Sequence, residues 1–163
     1  DGKVSSVAVN MGKADFSPSS VPAKAKSAEM INYPLTIDGQ IYSVTCMSVG
    51  NPHCVVFENE IDALDLATLG PKFEHCEIFP ERINAEFVKV IDKTTLRLRV
   101  WERGTGETLS CGTGACAAVA AAEVSSAGAS VLVVHAVKAK TRTNTISRET
   151  IFFVMKYSSF VFC

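Results

Sequence analysis

No sign of charge dominates this chain. Its 16 lysines and arginines nearly balance 17 aspartates and glutamates, for a net charge of −1, and the two signs are interspersed. Such a surface lacks the electrostatic footprint of a protein that binds nucleic acid or another polyanion. Also missing is any apolar run near the length that spans a bilayer. The first residues do not read as a charged-then-apolar targeting segment. Cys46, Cys54, Cys76, Cys111, Cys116 and Cys163 form no Cys-x-x-Cys pair, and the three histidines complete no zinc pattern with them. Reduced thiols in a cytosolic or stromal compartment are the expected state. Apolar material is plentiful: 47% of the 163 residues are hydrophobic, enough for one globular domain whose core needs no disulfides.

The chemistry concentrates in Ser110-Cys111-Gly112-Thr113-Gly114-Ala115-Cys116-Ala117-Ala118-Val119. Gly112 and Gly114 permit a sharp turn and close approach to a ligand. Residues 115–124 contain no proline or glycine and are rich in the best helix former. A tight turn feeding a helix is therefore expected, with Cys111 at or just before its N-terminus. Unpaired N–H groups and the helix dipole favour negative charge there. They act to lower a thiol's pKa and can hold a ligand carboxylate or phosphate. Cys116, among alanines, reads as a small buried hydrophobe. Trp101-Glu102-Arg103-Gly104-Thr105-Gly106-Glu107-Thr108, a polar, glycine-spaced loop, leads straight into the cysteine turn.

Elsewhere the pattern is one of short strands. Residues 4–11 alternate, with Val7 and Val9 on one face, and 16–34 lack periodicity and read as a connector. Residues 35–37 and 41–47 flank Asp38-Gly39 as a β-hairpin. A Gly-Asn-Pro turn over 48–53 precedes a short strand at 54–57, and 62–69 reads as a helix ended by Gly70-Pro71. Strands at 83–90 and 95–101 are expected to pair through Asp92-Lys93. Gly128 is expected to end the alanine-rich helix, with β-prone segments at 131–137 and 151–157. The sum is an α+β domain. Its alanine-rich helix has small residues on nearly every face, which suits a helix wrapped closely by sheet. The chain opens on Asp1-Gly2, a hairpin-turn pair, which predicts a strand before it.

Three polar clusters remain open to two readings each. Asn51-Pro52-His53 is ordinary turn chemistry, or Asn51 contacts a ligand while His53 handles a proton. Asn84, inside an apolar strand where asparagine is disfavoured, needs a buried partner or a ligand. Glu102-Arg103 forms a local ion pair, or Arg103 clamps a carboxylate bidentately. His75 and His135 carry no supporting context and read as structural.

Taken together, Ser48-Val49-Gly50-Asn51-Pro52-His53, Gly70-Pro71, Phe79-Pro80-Glu81-Arg82-Ile83-Asn84-Ala85-Glu86-Phe87, the segment from Val100 through Thr108, and Ser110 through Ala118 resemble the C-terminal half of the diaminopimelate epimerase family. The motifs stand in family order, and the resemblance covers about 1–124. It implies one lobe, a β-barrel-like sheet around a central helix, spanning 1–163, with the N-terminal lobe absent. It further implies an isomerase that inverts an α-carbon between LL- and meso-diaminopimelate, without a cofactor or metal. One cysteine thiolate removes the α-proton and the opposite thiol supplies one to the other face.

By the same resemblance Cys111 is one of the two thiols, and His53 and Glu102 assist proton transfer. Asn51, Asn84, Glu102, Arg103, Gly112 and Thr113 match substrate-contacting positions. The implied partners are diaminopimelate, the missing N-terminal lobe and, through uncovered apolar surface, a second copy in a homodimer, with neither nucleic acid nor membrane. The implied setting is lysine and peptidoglycan-precursor synthesis in a bacterial cytoplasm or a plant plastid. The partner cysteine belongs to the absent half, so the chain is expected to be inactive alone. The tail after about Val124 departs from the family, since the expected Gly-Gly turn and Gly-Pro-Ala ending are not recognisable. A lobe of a racemase for another amino acid such as proline, and a non-catalytic binding module, are the alternatives.

Overall fold

The computed structural model describes residues 6–93, 95–125, 133–136, 139–142, 146–147 and 150–156. They form a mixed α+β fold of eleven strands and two helices in the order β1 (Ser6–Asn10), β2 (Tyr33–Ile37), β3 (Gln40–Ser48), β4 (Pro52–Phe57), α1 (Leu66–Glu74), β5 (Asn84–Asp92), β6 (Thr95–Glu102), β7 (Gly106–Thr108), α2 (Gly112–Val124), β8 (Val133–Ala136), β9 (Ala139–Arg142), β10 (Ile146–Ser147) and β11 (Thr150–Lys156). A 3-10 turn spans Ile61–Ala63. Strand neighbours run β1-β11-β9-β8-β6-β5-β4-β3-β2, with β7 added on β6 and β10 on β11.

The expected hairpins form. Asp38 and Gly39 both take positive φ, the geometry that joins β2 to β3 with matching twist. β5 and β6 pair antiparallel, with an irregularity between Val90 and Asp92. Two neighbouring pairs are parallel instead, β4 with β5 and β6 with β8. Parallel neighbours need a long crossover, and these crossovers carry α1 and α2 respectively.

Strand alternation then sorts side chains between the two faces. Met47, Val55, Val88, Leu96, Leu98 and Val100 lie in one buried cluster with the α2 residues Ala115 through Ala122. Cys46, Cys54, Val56, Ala85 and Phe87 lie in the other, with Leu66 and Phe73 of α1 and with Val21 and Met30 of the connector. Phe73 meets Tyr42 and Phe87 edge-on, at ring-centroid distances of 5.1 and 5.3 Å. The alanines of α2 allow its backbone to lie close to β3, β4, β5 and β6, and it also touches β8 and β11.

Some elements depart from the sequence reading. Gly70-Pro71 does not end α1, which starts later than expected and runs through both residues to Glu74. Asp65 caps the helix, accepting from the Thr68 N–H, and the Pro71 carbonyl still accepts from His75 N–H at 2.9 Å. Pro71 thus costs one helical bond, against burial of Leu66 and Phe73. Gly70 is needed for packing: a Cβ there would lie 2.2 Å from the Trp101 ring. The Gly106–Thr108 strand lies in the polar, glycine-spaced loop, and β9 and β10 lie between the two β-prone segments, where no apolar alternation marks them. α2 begins at Gly112, three residues before the alanine run, and Ser125 follows its end. Gly128, read as the helix stop, lies outside the described residues, as does Cys163. Cys46, Cys54, Cys76, Cys111 and Cys116 are free thiols. Among the described residues no helix is long and apolar enough to cross a membrane.

Gly70→Ala is expected to destabilise the fold by roughly 1–3 kcal/mol, the usual cost of overpacking. A lower urea midpoint with an unchanged slope would report it.

Candidate active site

The α2 face of the sheet gathers most of the residues singled out above. His53 shares the parity of Val55 on β4, Asn84 and Glu86 that of Val88 on β5, and Glu102 that of Val100 on β6. All of these therefore point the way α2 packs. Cys111 sits at the N-cap of α2 in extended conformation, and its Sγ accepts from the Gly114 N–H at 3.4 Å. The N–H groups of Gly112 and Thr113 stand in the first helical turn, where helix geometry supplies no partner.

His53 and Glu86 are fully buried. His53 Nδ1 lies 2.6 Å from Glu86 Oε1, and its Nε2 lies 2.9 Å from Asn51 Oδ1. Asn51 Nδ2 donates to Thr113 Oγ1 at 3.3 Å, and Thr113 Oγ1 lies 3.4 Å from Cys111 Sγ. Glu86 Oε2 is buried with no hydrogen-bond partner. The carboxylate sits directly under the helix start, for a Cβ on Gly114 would come within 2.8 Å of Glu86 Oε1 and 3.3 Å of Cys111 Sγ.

Asn84 has a buried partner. Its Nδ2 donates to the Pro52 carbonyl at 2.7 Å, and its Oδ1 accepts the Arg103 N–H at 2.9 Å. One amide thereby ties the start of β4 to the turn after β6. Glu102 does not pair with Arg103: it accepts from the Thr108 hydroxyl across the β6–β7 turn, and the exposed Arg103 donates to the Glu81 carbonyl at 3.0 Å. The local ion pair is replaced because β6 ends at Glu102: Glu102 is held across the turn by Thr108, while Arg103, already in the turn, is held by Asn84 and Glu81. His75 is exposed near Glu74, and the side chain of His135 lies outside the described residues. Among the described residues no three His, Cys, Asp or Glu side chains converge as a metal site would require.

Burial pushes the Cys111 thiol up from its ordinary pKa, and Glu86 and Glu102 add to the rise. The Thr113 hydroxyl and the Gly114 N–H pull the other way without overcoming it. The lowering expected from the helix terminus is thus present but outweighed. Cys116 is pushed up to about 12 by burial, as suits a core thiol.

A second buried carboxylate supports the site from the other face. Glu74, the last residue of α1, accepts from Trp101 Nε1 at 2.7 Å and from the Gly104 N–H at 2.8 Å, with Arg82 Nη1 at 3.5 Å. It fastens α1 to the turn that carries Arg103. Burial pushes its pKa up, but these hydrogen bonds and the neighbouring His75 outweigh burial and hold it below the usual carboxylate value.

The diaminopimelate epimerase family model matches residues 45–155. The chain belongs to the diaminopimelate epimerase family. That match runs past Val124, where the recognisable family motifs stop. The chain is similar to the diaminopimelate epimerase of Acetivibrio thermocellus, 51% identical over 121 residues that make up 74% of this chain and 43% of the relative. It is 46% identical to that of Desulfovibrio desulfuricans over 126 residues, 74% of this chain and 44% of the relative. The chloroplastic diaminopimelate epimerase of Oryza sativa is 48% identical over 131 residues, 75% of this chain and 36% of the relative. The chain therefore spans less than half the length of these relatives.

Glu86 and Glu74 are not singled out by the sequence patterns. Glu86 carried a usable signal, a carboxylate at the inward parity of a strand otherwise apolar there. Glu74 carried none, since a glutamate at the end of a short helix is ordinarily solvated.

Gly114→Ala is expected to displace the Glu86 carboxylate from His53 and to cost about 1–3 kcal/mol, the range for a buried polar group losing its partner. Chemical denaturation would measure it. Because the folded pKa of Glu74 lies below its unfolded value, its contribution to stability is full above the unfolded carboxylate pKa of about 4.3. It is lost as pH falls through the folded value. Glu74→Gln should therefore lower the unfolding free energy by about 1–3 kcal/mol at neutral pH. The gap from the unaltered chain should close in acid, as a series of urea titrations would show.

Proposed function

We propose that this chain is the C-terminal lobe of a cofactor-independent epimerase that interconverts LL- and meso-diaminopimelate, with Cys111 as one of two proton-transferring thiols. The observation that carries the reading is the position of Cys111: a half-buried thiol at the N-cap of α2, beside the first-turn N–H groups of the helix and near Glu102. The names of the relatives support the substrate class. In the same reading the sheet closes as a barrel-like layer around α2 as its central helix, which the contacts of α2 with six strands support.

The proposed chemistry follows from that position. The substrate α-carboxylate binds the Gly112 and Thr113 N–H groups at the helix N-terminus, with Asn51, Asn84 and Arg103 shaping its surroundings. A thiolate on one face takes the α-proton, forming an S–H bond. The C–H electron pair spreads onto the carboxylate, where the same N–H groups stabilise the developing charge. A thiol on the other face then returns a proton to the carbon. The raised pKa of Cys111 suits the protonated, donating partner at rest. Glu102 and His53 accept or supply protons around the exchange. The opposite thiol comes from a lobe outside this chain, so the isolated chain is inactive. A bacterial cytoplasm or a plastid is the proposed setting.

The raised thiol pKa also favours a second reading, a lobe retained only for binding, because a buried protonated thiol is a poor base. Exchange of the substrate α-hydrogen with solvent deuterium separates the two. It would be measured with this chain alone and with the chain mixed with the N-terminal portion of a relative that supplies the other cysteine. Exchange in the mixture only, falling about 10²–10⁴-fold with Cys111→Ala, is the expected result. Turnover by the chain alone would overturn the need for a second thiol. Silence with both parts folded would favour the binding lobe.

A further inference from the structure

The residues Glu86, His53, Asn51 and Thr113 form an unbroken hydrogen-bonded line that ends on the sulfur of Cys111. Its links measure 2.6, 2.9, 3.3 and 3.4 Å from the carboxylate outward. Its inner end is buried completely, and Glu86 Oε2 has no partner of its own. We propose that Glu86 is a positioning residue that, through His53, Asn51 and Thr113, sets the direction of the hydrogen bond reaching Cys111 Sγ. This rests on the reading of Cys111 as the reactive thiol.

With the Asn51 amide oriented as it is in the structure, the donor inventory gives one direction. Both ring nitrogens of His53 face oxygens, Glu86 Oε1 and Asn51 Oδ1. One proton therefore lies between Nδ1 and Oε1, and another sits on Nε2 and is donated to Asn51. With its oxygen so occupied, the Asn51 amide turns Nδ2 to Thr113 and donates to Oγ1. The Thr113 hydroxyl, now an acceptor from Asn51, points its own proton at Sγ. Every link donates outward from the His53 ring, so the line favours a thiolate at its end. The opposite arrangement follows if the ring is neutral with its proton on Nδ1. Nε2 is then an acceptor, the Asn51 amide turns over, and Thr113 gives its proton to Asn51 instead of to sulfur.

Glu86 decides between the two because its negative charge, 2.6 Å from the ring, is what favours an N–H on both ring nitrogens. It also acts directly through space, in the opposite sense, since negative charge near Sγ disfavours the thiolate. Among the described residues, the titratable groups facing the sulfur are Glu86 from β5, Glu102 from β6 and Cys116 from α2, and the ion partner of His53 is Glu86. The two routes from Glu86 to Cys111 thus predict opposite signs, which makes them separable.

The experiment is a double-mutant cycle on the rate of Cys111 alkylation by iodoacetamide against pH, followed by mass spectrometry of the Cys111 peptide in the full chain. Thr113→Val removes the hydroxyl that ends the line, leaving the Gly114 N–H on the sulfur, and should slow alkylation about five- to tenfold at fixed pH, the worth of one such hydrogen bond. Glu86→Gln should slow it similarly when Thr113 is present. In the Thr113→Val background it should not slow it, and the loss of nearby negative charge should speed it slightly. An equal fold-change in both backgrounds would overturn the proposal and leave Glu86 as a through-space charge alone. A measurement on the unaltered chain guards against misfolded variants: nitrogen-15 spectra of the His53 ring should show Nε2 protonated wherever Cys111 reacts. A bare Nε2 there would also overturn it. The readout is the sulfur and not turnover, so its failure is distinct from absent α-hydrogen exchange, which bears on the epimerase reading.

Discussion

A carboxylate and an imidazole lie together beneath the first turn of α2, and much of the surrounding sequence exists to keep them there. Removing both groups from water is costly, and the contact between them offsets that cost only with close geometry and few unmet valences. The 2.6 Å separation of His53 and Glu86 meets the first condition. Their register supplies it, since His53 on β4 stands opposite Asn84 on the parallel strand β5, two residues before Glu86. Gly114 leaves room for the carboxylate, and Asn51 completes the coordination of the ring. Asn84 fixes the chain on either side through Pro52 and Arg103.

At Cys111 two opposing effects can be weighed. A helix N-terminus stabilises nearby negative charge by typically 0.3–1 kcal/mol, and one neutral hydrogen bond adds about as much. Desolvation of a buried thiolate amounts to several pKa units in the extreme, and two carboxylates share its neighbourhood. Burial wins, so the thiol rests protonated. Its local donors then matter because they act against a larger opposing effect, and a small change in their direction changes how much thiolate is present.

The motifs carrying this site were legible because they sit in turns and at strand ends, where glycine, proline and asparagine have positional meaning. The β2–β3 hairpin, the β5–β6 hairpin and the helix start at Cys111 were readable for the same reason. Gly70-Pro71 misled because both residues usually mark an ending. Here the glycine meets the Trp101 ring, a tertiary contact that no local pattern announces. The pairing of Glu102 with Arg103 did not form because the strand ends between them, and each is held by partners distant in sequence or across the turn. Glu86 and Glu74 act through partners far away in sequence, and only the folded register brings those partners close.

Strand parity has one further consequence, for insertions and deletions. His53, Glu86 and Glu102 occupy three different strands, yet each faces α2 because of its odd or even position relative to the core. Loss or gain of one residue within β5 would carry Glu86 to the opposite face and bring Phe87 under the helix. A carboxylate would then stand among Phe73, Val56 and Leu66. Changes of length that preserve the site are therefore confined to connectors such as 16–32.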